Sequence, residues 1–165
     1  MLKNLALFII FIAASRFVGL PPNFSPLIAL AVFIPRLSDN LSIQHLLPVS
    51  IVAITNLFLE PVNMIILISI LSVFLITPAI TRYSNNLFFG TVNTLLIWHF
   101  FVNGAVWITS GGSIIETYIA AWPFDFKLAI STGLYVLLFY YAERLWMNIS
   151  KSNMKFFDSF RNKNE

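Results

Sequence analysis

Cysteine is missing from the chain altogether, which excludes disulfides, iron–sulfur clusters and thiolate metal sites and leaves the redox compartment unmarked. Charge is nearly as scarce. Asp, Glu, Lys and Arg make up 10% of 165 residues, against about 25% in a soluble domain. So few charges cannot cover a water-facing surface, and the expected solvent for most of the chain is lipid. Histidine occurs twice, as His45 and His99, with no H-x-x-x-H pair, so a zinc-hydrolase site has no ligand set. There is no G-x-S-x-G, no paired aspartate motif and no phosphate-binding glycine loop. No enzymatic activity, cofactor or metal is therefore expected, and any pumping needs a partner or an ion gradient.

What the chain does have is grease: 58% hydrophobic residues, 17 Phe and a mean hydropathy of +0.83. The net charge of +3 is concentrated after the last apolar run, with five of ten Lys and Arg in Arg144–Lys163. At a membrane edge such a tail reads as a topology signal and an anionic-lipid contact, not as a nucleic-acid site.

The chain divides around RFVGLPPNFSP, Arg16 to Pro26. Two consecutive prolines cannot continue a helix, while Ser25-Pro26 suits the start of the next. The apolar pattern predicts an all-α integral membrane protein, a six-helix transmembrane bundle with spans at about 2–19, 25–38, 42–59, 61–80, 87–108 and 127–147. Segment 25–38 is short for a span, and a re-entrant form with five spans is the alternative. A short interfacial helix is expected at 113–122, opened by a Ser113–Glu116 capping box and stopped by Pro123. Residues 148–165 read as a polar cytoplasmic tail, with Phe156, Phe157 and Phe160 spaced for an interfacial helix. Six spans starting inside place eight Lys and Arg in the cytoplasm and only Arg16 and Lys127 outside. The reading is thus a multi-pass protein of the inner (plasma) membrane with its C-terminus cytoplasmic.

Polar groups at membrane depth are costly and so carry information. His99, Asn103 and Trp107 stand at i, i+4 and i+8 on one face of the fifth span. In the six-span arrangement Arg16, Asn23, Asn56, Glu60, Asn63, Asn103, Trp107, Tyr118 and Trp122 all fall in the outer half. Each has an ordinary explanation: interhelical amide bonds, an aromatic belt, an Arg16–Glu60 pair or a snorkelling arginine. Their one-sided clustering instead predicts an outward-facing cavity for a small solute. Arg16, Asn23, Phe24, Asn56, Glu60, His99, Asn103, Trp107, Tyr118 and Trp122 are the candidate binding residues, with Arg16 suited to a carboxylate or phosphate.

Several segments carry a family likeness: Pro22-Asn23-Phe24-Ser25-Pro26-Leu27, Ala29-x-Ala31-x-Phe33, Val106-Trp107 before a glycine turn, Tyr118-x-x-Ala121-x-Pro123-Phe124, and Glu143. With these the chain resembles a bacterial six-span membrane family likened to the substrate-binding S components of energy-coupling-factor (ECF) vitamin transporters. The resemblance implies a vitamin-like solute bound by Arg16–Pro26, the Asn56–Asn63 hairpin and the Trp107–Trp122 segment. It also implies an energising ATPase module as partner. Two departures stand out. The first helix lacks the small-xxx-small stripe on which that module docks, since Ala6 is followed at i+4 by Ile10 and Ala13 by Phe17. Without cysteine, the cobalt ligation used by some cobalamin-transporting relatives is impossible. The remaining alternative is a structural or assembly membrane protein with no small-molecule ligand.

Overall fold

A computed structural model describes residue 10, the segments 12–17, 24–84 and 86–147, and the backbone of 148–161. Six helices appear and, among the described residues, no strand. The first, α1, is described at 12–15. It is followed by α2 (Leu27–Leu37), α3 (Leu41–Asn56), α4 (Met64–Tyr83), α5 (Leu87–Ser110) and α6 (Ile114–Arg161).

Asparagines start three of these helices. Asn40 accepts from the Ser42 and Ile43 amides at 2.9 and 3.3 Å, Asn63 from Ile65 at 2.9 Å and Asn86 from Phe88 at 2.8 Å. Each satisfies amides that have no partner within their own helix. Gly111 ends α5 in the left-handed region at φ 69°, where its lack of a Cβ removes the strain. That turn folds α6 back along α5.

Helix α2 is the hub. Every residue from Leu27 to Ile34 is buried, and α2 touches α3, α4, α5 and α6. It runs in the same direction as α6, as three contacts show. Ser131 Oγ donates to the Ser25 carbonyl at 3.4 Å, Phe33 meets Phe139 edge-on, and Arg36 pairs with Glu143 at 2.8 Å. Between α4 and α5 the approach is close: a Cβ on Gly90 would stand 3.0 Å from Thr81 Cα. The interior is small and the exterior apolar. Leu96, Phe100, Phe101, Ile130, Leu134 and Leu138 all point outward, a surface matched to hydrocarbon.

Two helices, α4 and α5, are long and apolar enough to cross a membrane. At 1.5 Å per residue they reach about 30 and 36 Å. Helices α2, with 11 residues, and α3, with 16, are shorter than the spans expected at 25–38 and 42–59. Most of the segment expected as the first span lies outside the described residues.

The largest correction concerns Pro123. It neither stops a short helix nor separates it from a later span. Residues 114–161 form one helix of 48 residues with Pro123 inside it. The expected interfacial helix, the sixth span and the first part of the tail are thus one element. Pro35, Pro48 and Pro78 likewise lie within helices, and α4 runs past Thr77-Pro78 to Tyr83. Ending a helix bares several peptide groups, whereas an internal proline removes one N–H. The capping box is half-formed: Ser113 Oγ accepts from the Glu116 amide at 3.5 Å.

Candidate functional site

The α5–α6 hairpin sets the geometry. His99 and Asp125 each lie eleven residues in from the turn, about 16 Å along their helices, and therefore face each other. His99 Nδ1 stands 2.6 Å from Asp125 Oδ2, and Asn103 Nδ2 donates to the same oxygen at 2.6 Å. A carboxylate can only accept, so the imidazole donates its Nδ1–H. The 3.2 Å approach of Asn103 Nδ2 to His99 Nδ1 is then a contact between two donors sharing one acceptor. The His99 and Asp125 side chains are 19% and 16% exposed, and Asn103 is buried.

Aromatic rings wall the imidazole. Tyr118 and Trp122 stand nearly perpendicular to it, at 76° and 89°, with centroids 5.3 and 6.1 Å away. The Tyr118 hydroxyl donates to the Phe100 carbonyl at 2.8 Å, which fixes the ring. Gly104 leaves room for that hydroxyl, since a Cβ there would sit 3.2 Å from it. Beside the rings lies an open groove of about 370 Å³, lined by His99, Tyr118, Ile119, Trp122 and Pro123, of which the last three are exposed. Tyr118 and Trp122, which line the groove, lie about 6 and 12 Å from the start of α6, and Asp125, beyond the lining, about 16 Å.

Four of the ten candidate residues, His99, Asn103, Tyr118 and Trp122, meet here. Trp107 lies beyond them at the hairpin turn, where its Nε1 donates to the Gly112 carbonyl at 3.0 Å. Arg16 is elsewhere. It donates to Thr55 Oγ1 at 2.7 Å and the Val52 carbonyl at 3.3 Å, both on α3, instead of pairing with Glu60. Helix α3 touches neither α5 nor α6, so Arg16 and His99 belong to separate clusters. Asn56 ends α3 and Glu60 is exposed in the link to α4. Phe24 packs edge-on against Tyr135, centroids 5.8 Å apart. Asn23 lies outside the described residues. The single roofed chamber expected from sequence is therefore divided.

Asp125 is a member of the cluster that the sequence pattern does not single out. A helix ended at Pro123 and a span begun at Lys127 leave it in the gap between them. Continuing the helix through the proline puts Tyr118, Trp122 and Asp125 at i, i+4 and i+7, one face. That spacing was the available signal.

A second groove, about 620 Å³, lies between α4 and α5 toward their other ends. There Asn93 Nδ2 donates to Ser84 Oγ at 3.2 Å beneath Tyr83. No group of three or more His, Cys, Asp or Glu able to hold a metal ion occurs among the described residues.

Fold and site define a class: an all-helical chain of membrane type, with two helices of crossing length and an imidazole–carboxylate–amide cluster inside a helical hairpin. The chain belongs to a family of unknown function, DUF6580, whose model matches residues 2–153. No curated protein matches it, and no solved structure does.

Proposed function

We propose that this is a multi-pass membrane protein that binds a small solute in the α5–α6 groove, as a solute-binding or import protein of S-component type. The carrying observation is the His99–Asp125–Asn103 cluster, at membrane depth and open to an aromatic groove through the His99 ring. Hydrocarbon penalises ionisable side chains strongly enough that a site is their default explanation there. The solute then rests on α5 and α6, and Arg16 is left to hold α1 against α3. The basic C-terminal tail favours a cytoplasmic C-terminus, and Lys3 beside the first apolar run favours an inside start and so six crossings, with α2 and α3 as short spans.

The test is thermal stabilisation of the purified full chain by a panel of vitamins, nucleobases and cobamides. At least one solute should raise the melting temperature, and Trp122→Ala should abolish the shift while the unliganded protein stays folded. A shift that survives Trp122→Ala would move the site elsewhere. A structural or assembly role is the second reading, favoured by the length of α6. Its 48 residues reach about 72 Å, far more than a bilayer core needs, and it carries Leu145 and Trp146 exposed. That reading predicts no stabilising solute.

A further inference from the structure

We propose that the end of the bundle where α2 meets α6 holds the headgroup of an anionic phospholipid, with an acyl chain along the outer face of α6. The inference goes beyond the solute-binding reading and needs only the membrane setting. It starts from charge. Arg36 and Arg144 both stand over the Tyr140 ring, 5.8 and 5.2 Å from its centroid, and Arg36 also lies 5.7 Å from the centre of Phe33. Two cations are thus gathered on one tyrosine. One carboxylate answers them: Glu143 Oε2 accepts from Arg36 Nε and Nη2 at 3.0 and 2.8 Å. Arg144 has a neutral partner, the Tyr140 hydroxyl, to which Nη2 donates at 2.9 Å. Among the described residues no second carboxylate pairs with either arginine, and Asp39 is exposed in the link after α2. The cluster of Arg36, Arg144 and Glu143 therefore carries one net positive charge.

It also has donors to spare. A guanidinium carries five N–H groups. Arg36 commits two of them to Glu143, and Arg144 commits one to Tyr140. Planar N–H forks match the oxygens of a phosphate. The Glu143 bonds and the shared ring hold these forks in place before a ligand arrives, which lowers the cost of binding one. The basic residues of the tail, Lys151 and Lys155 among them, attract any anionic surface by charge alone. The cluster at Tyr140 is a position.

What adjoins the donors selects a lipid. Leu134, Leu137, Leu138 and Tyr141 stand at i, i+3, i+4 and i+7 of α6, each more than half exposed, and Arg144 comes next on that stripe. From Leu134 to Arg144 the helix rises about 15 Å, the depth of one leaflet of a ~30 Å hydrocarbon core. Tyr141 and Trp146, both exposed, flank Arg144, and such side chains favour the headgroup level. A phosphate at Arg144 therefore has its chain against leucine. A zwitterionic headgroup brings its own cation and leaves the net charge as it was, whereas an anionic one cancels it. In the orientation proposed above, this lipid belongs to the cytoplasmic leaflet.

The experiment is native mass spectrometry of the purified full chain, released from micelles holding phosphatidylglycerol and phosphatidylcholine in equal amounts with identical chains. Phosphatidylglycerol should be retained at least about fivefold over phosphatidylcholine. Arg144→Gln should bring that ratio to near one, and Arg144→Leu, matched to the exposed leucines beside it, repeats the test should the first variant misfold. Lys151→Gln combined with Lys155→Gln should leave the ratio in place. Glycerol phosphate, the headgroup without its chains, should not compete. Equal retention of the two lipids, a preference that survives loss of Arg144, or one lost in the tail variant instead would overturn the site. Competition by glycerol phosphate would overturn a lipid as its occupant. The solute screen reads a different groove, so either result leaves the other standing.

Discussion

Two acid–base pairs join helices among the described residues, and they differ in nearly every respect. Arg36 and Glu143 lie near the end of α2, where Nε and Nη2 both donate to one carboxylate oxygen at 3.0 and 2.8 Å. The guanidinium also lies over the Phe33 and Tyr140 rings, at 5.7 and 5.8 Å from their centroids. It is a strap, tying α2 to the helix it parallels. His99 is half as exposed as Arg36, at 19% against 39%, while Asp125 and Glu143 are nearly alike at 16% and 18%; the pair sits inside a hairpin and meets an open groove through the His99 ring. The contrast teaches that adjoining space, more than residue type, is what marks the second pair as the candidate site.

Substitutions sharpen that contrast. Phe33 supports the strap from inside the hub helix, fully buried against Phe139. Phe33→Ala should cost about 3–5 kcal/mol in a reversible unfolding assay in detergent. A loss below about 1 kcal/mol would mean that α2 is not the core. His99→Leu comes next. It leaves the Asp125 carboxylate with only the Asn103 amide and should cost about 2–3 kcal/mol, much of it recovered in the His99→Leu, Asp125→Leu double variant. No recovery would make the pair ordinary packing. Gly90→Ala forces a methyl against the Thr81 backbone and should cost about 1–3 kcal/mol, with α4 and α5 moving apart in a spin-label distance measurement. Arg36→Gln, at the more exposed pair, should cost about 1 kcal/mol or less. If it cost more than His99→Leu, the ranking of the two pairs would be reversed.

Much of the architecture was legible because hydrophobic runs have few options in lipid. The helix expected at 87–108 is found at Leu87–Ser110, and that expected at 61–80 begins three residues later and ends three later. The i, i+4 spacing of His99 and Asn103 correctly placed them together. The main error lies at one proline: Pro123 reads as a terminator, yet it is carried inside α6, and stopping there hid Asp125. Arg16 was grouped with Asn103 on depth alone. Depth says nothing about which helices touch, and α4 and α2 intervene between α3 and the hairpin.

A cysteine-free chain permits one direct test of the central claim, that the His99 groove receives a ligand. Ile119→Cys puts a single thiol on the groove wall, and Leu96→Cys puts one in the groove between α4 and α5 as a control. Alkylation of both is followed in nanodiscs with and without a stabilising solute. Slowed labelling at residue 119 and unchanged labelling at residue 96 is the predicted result. Equal labelling rates at 119 with and without that solute would contradict it.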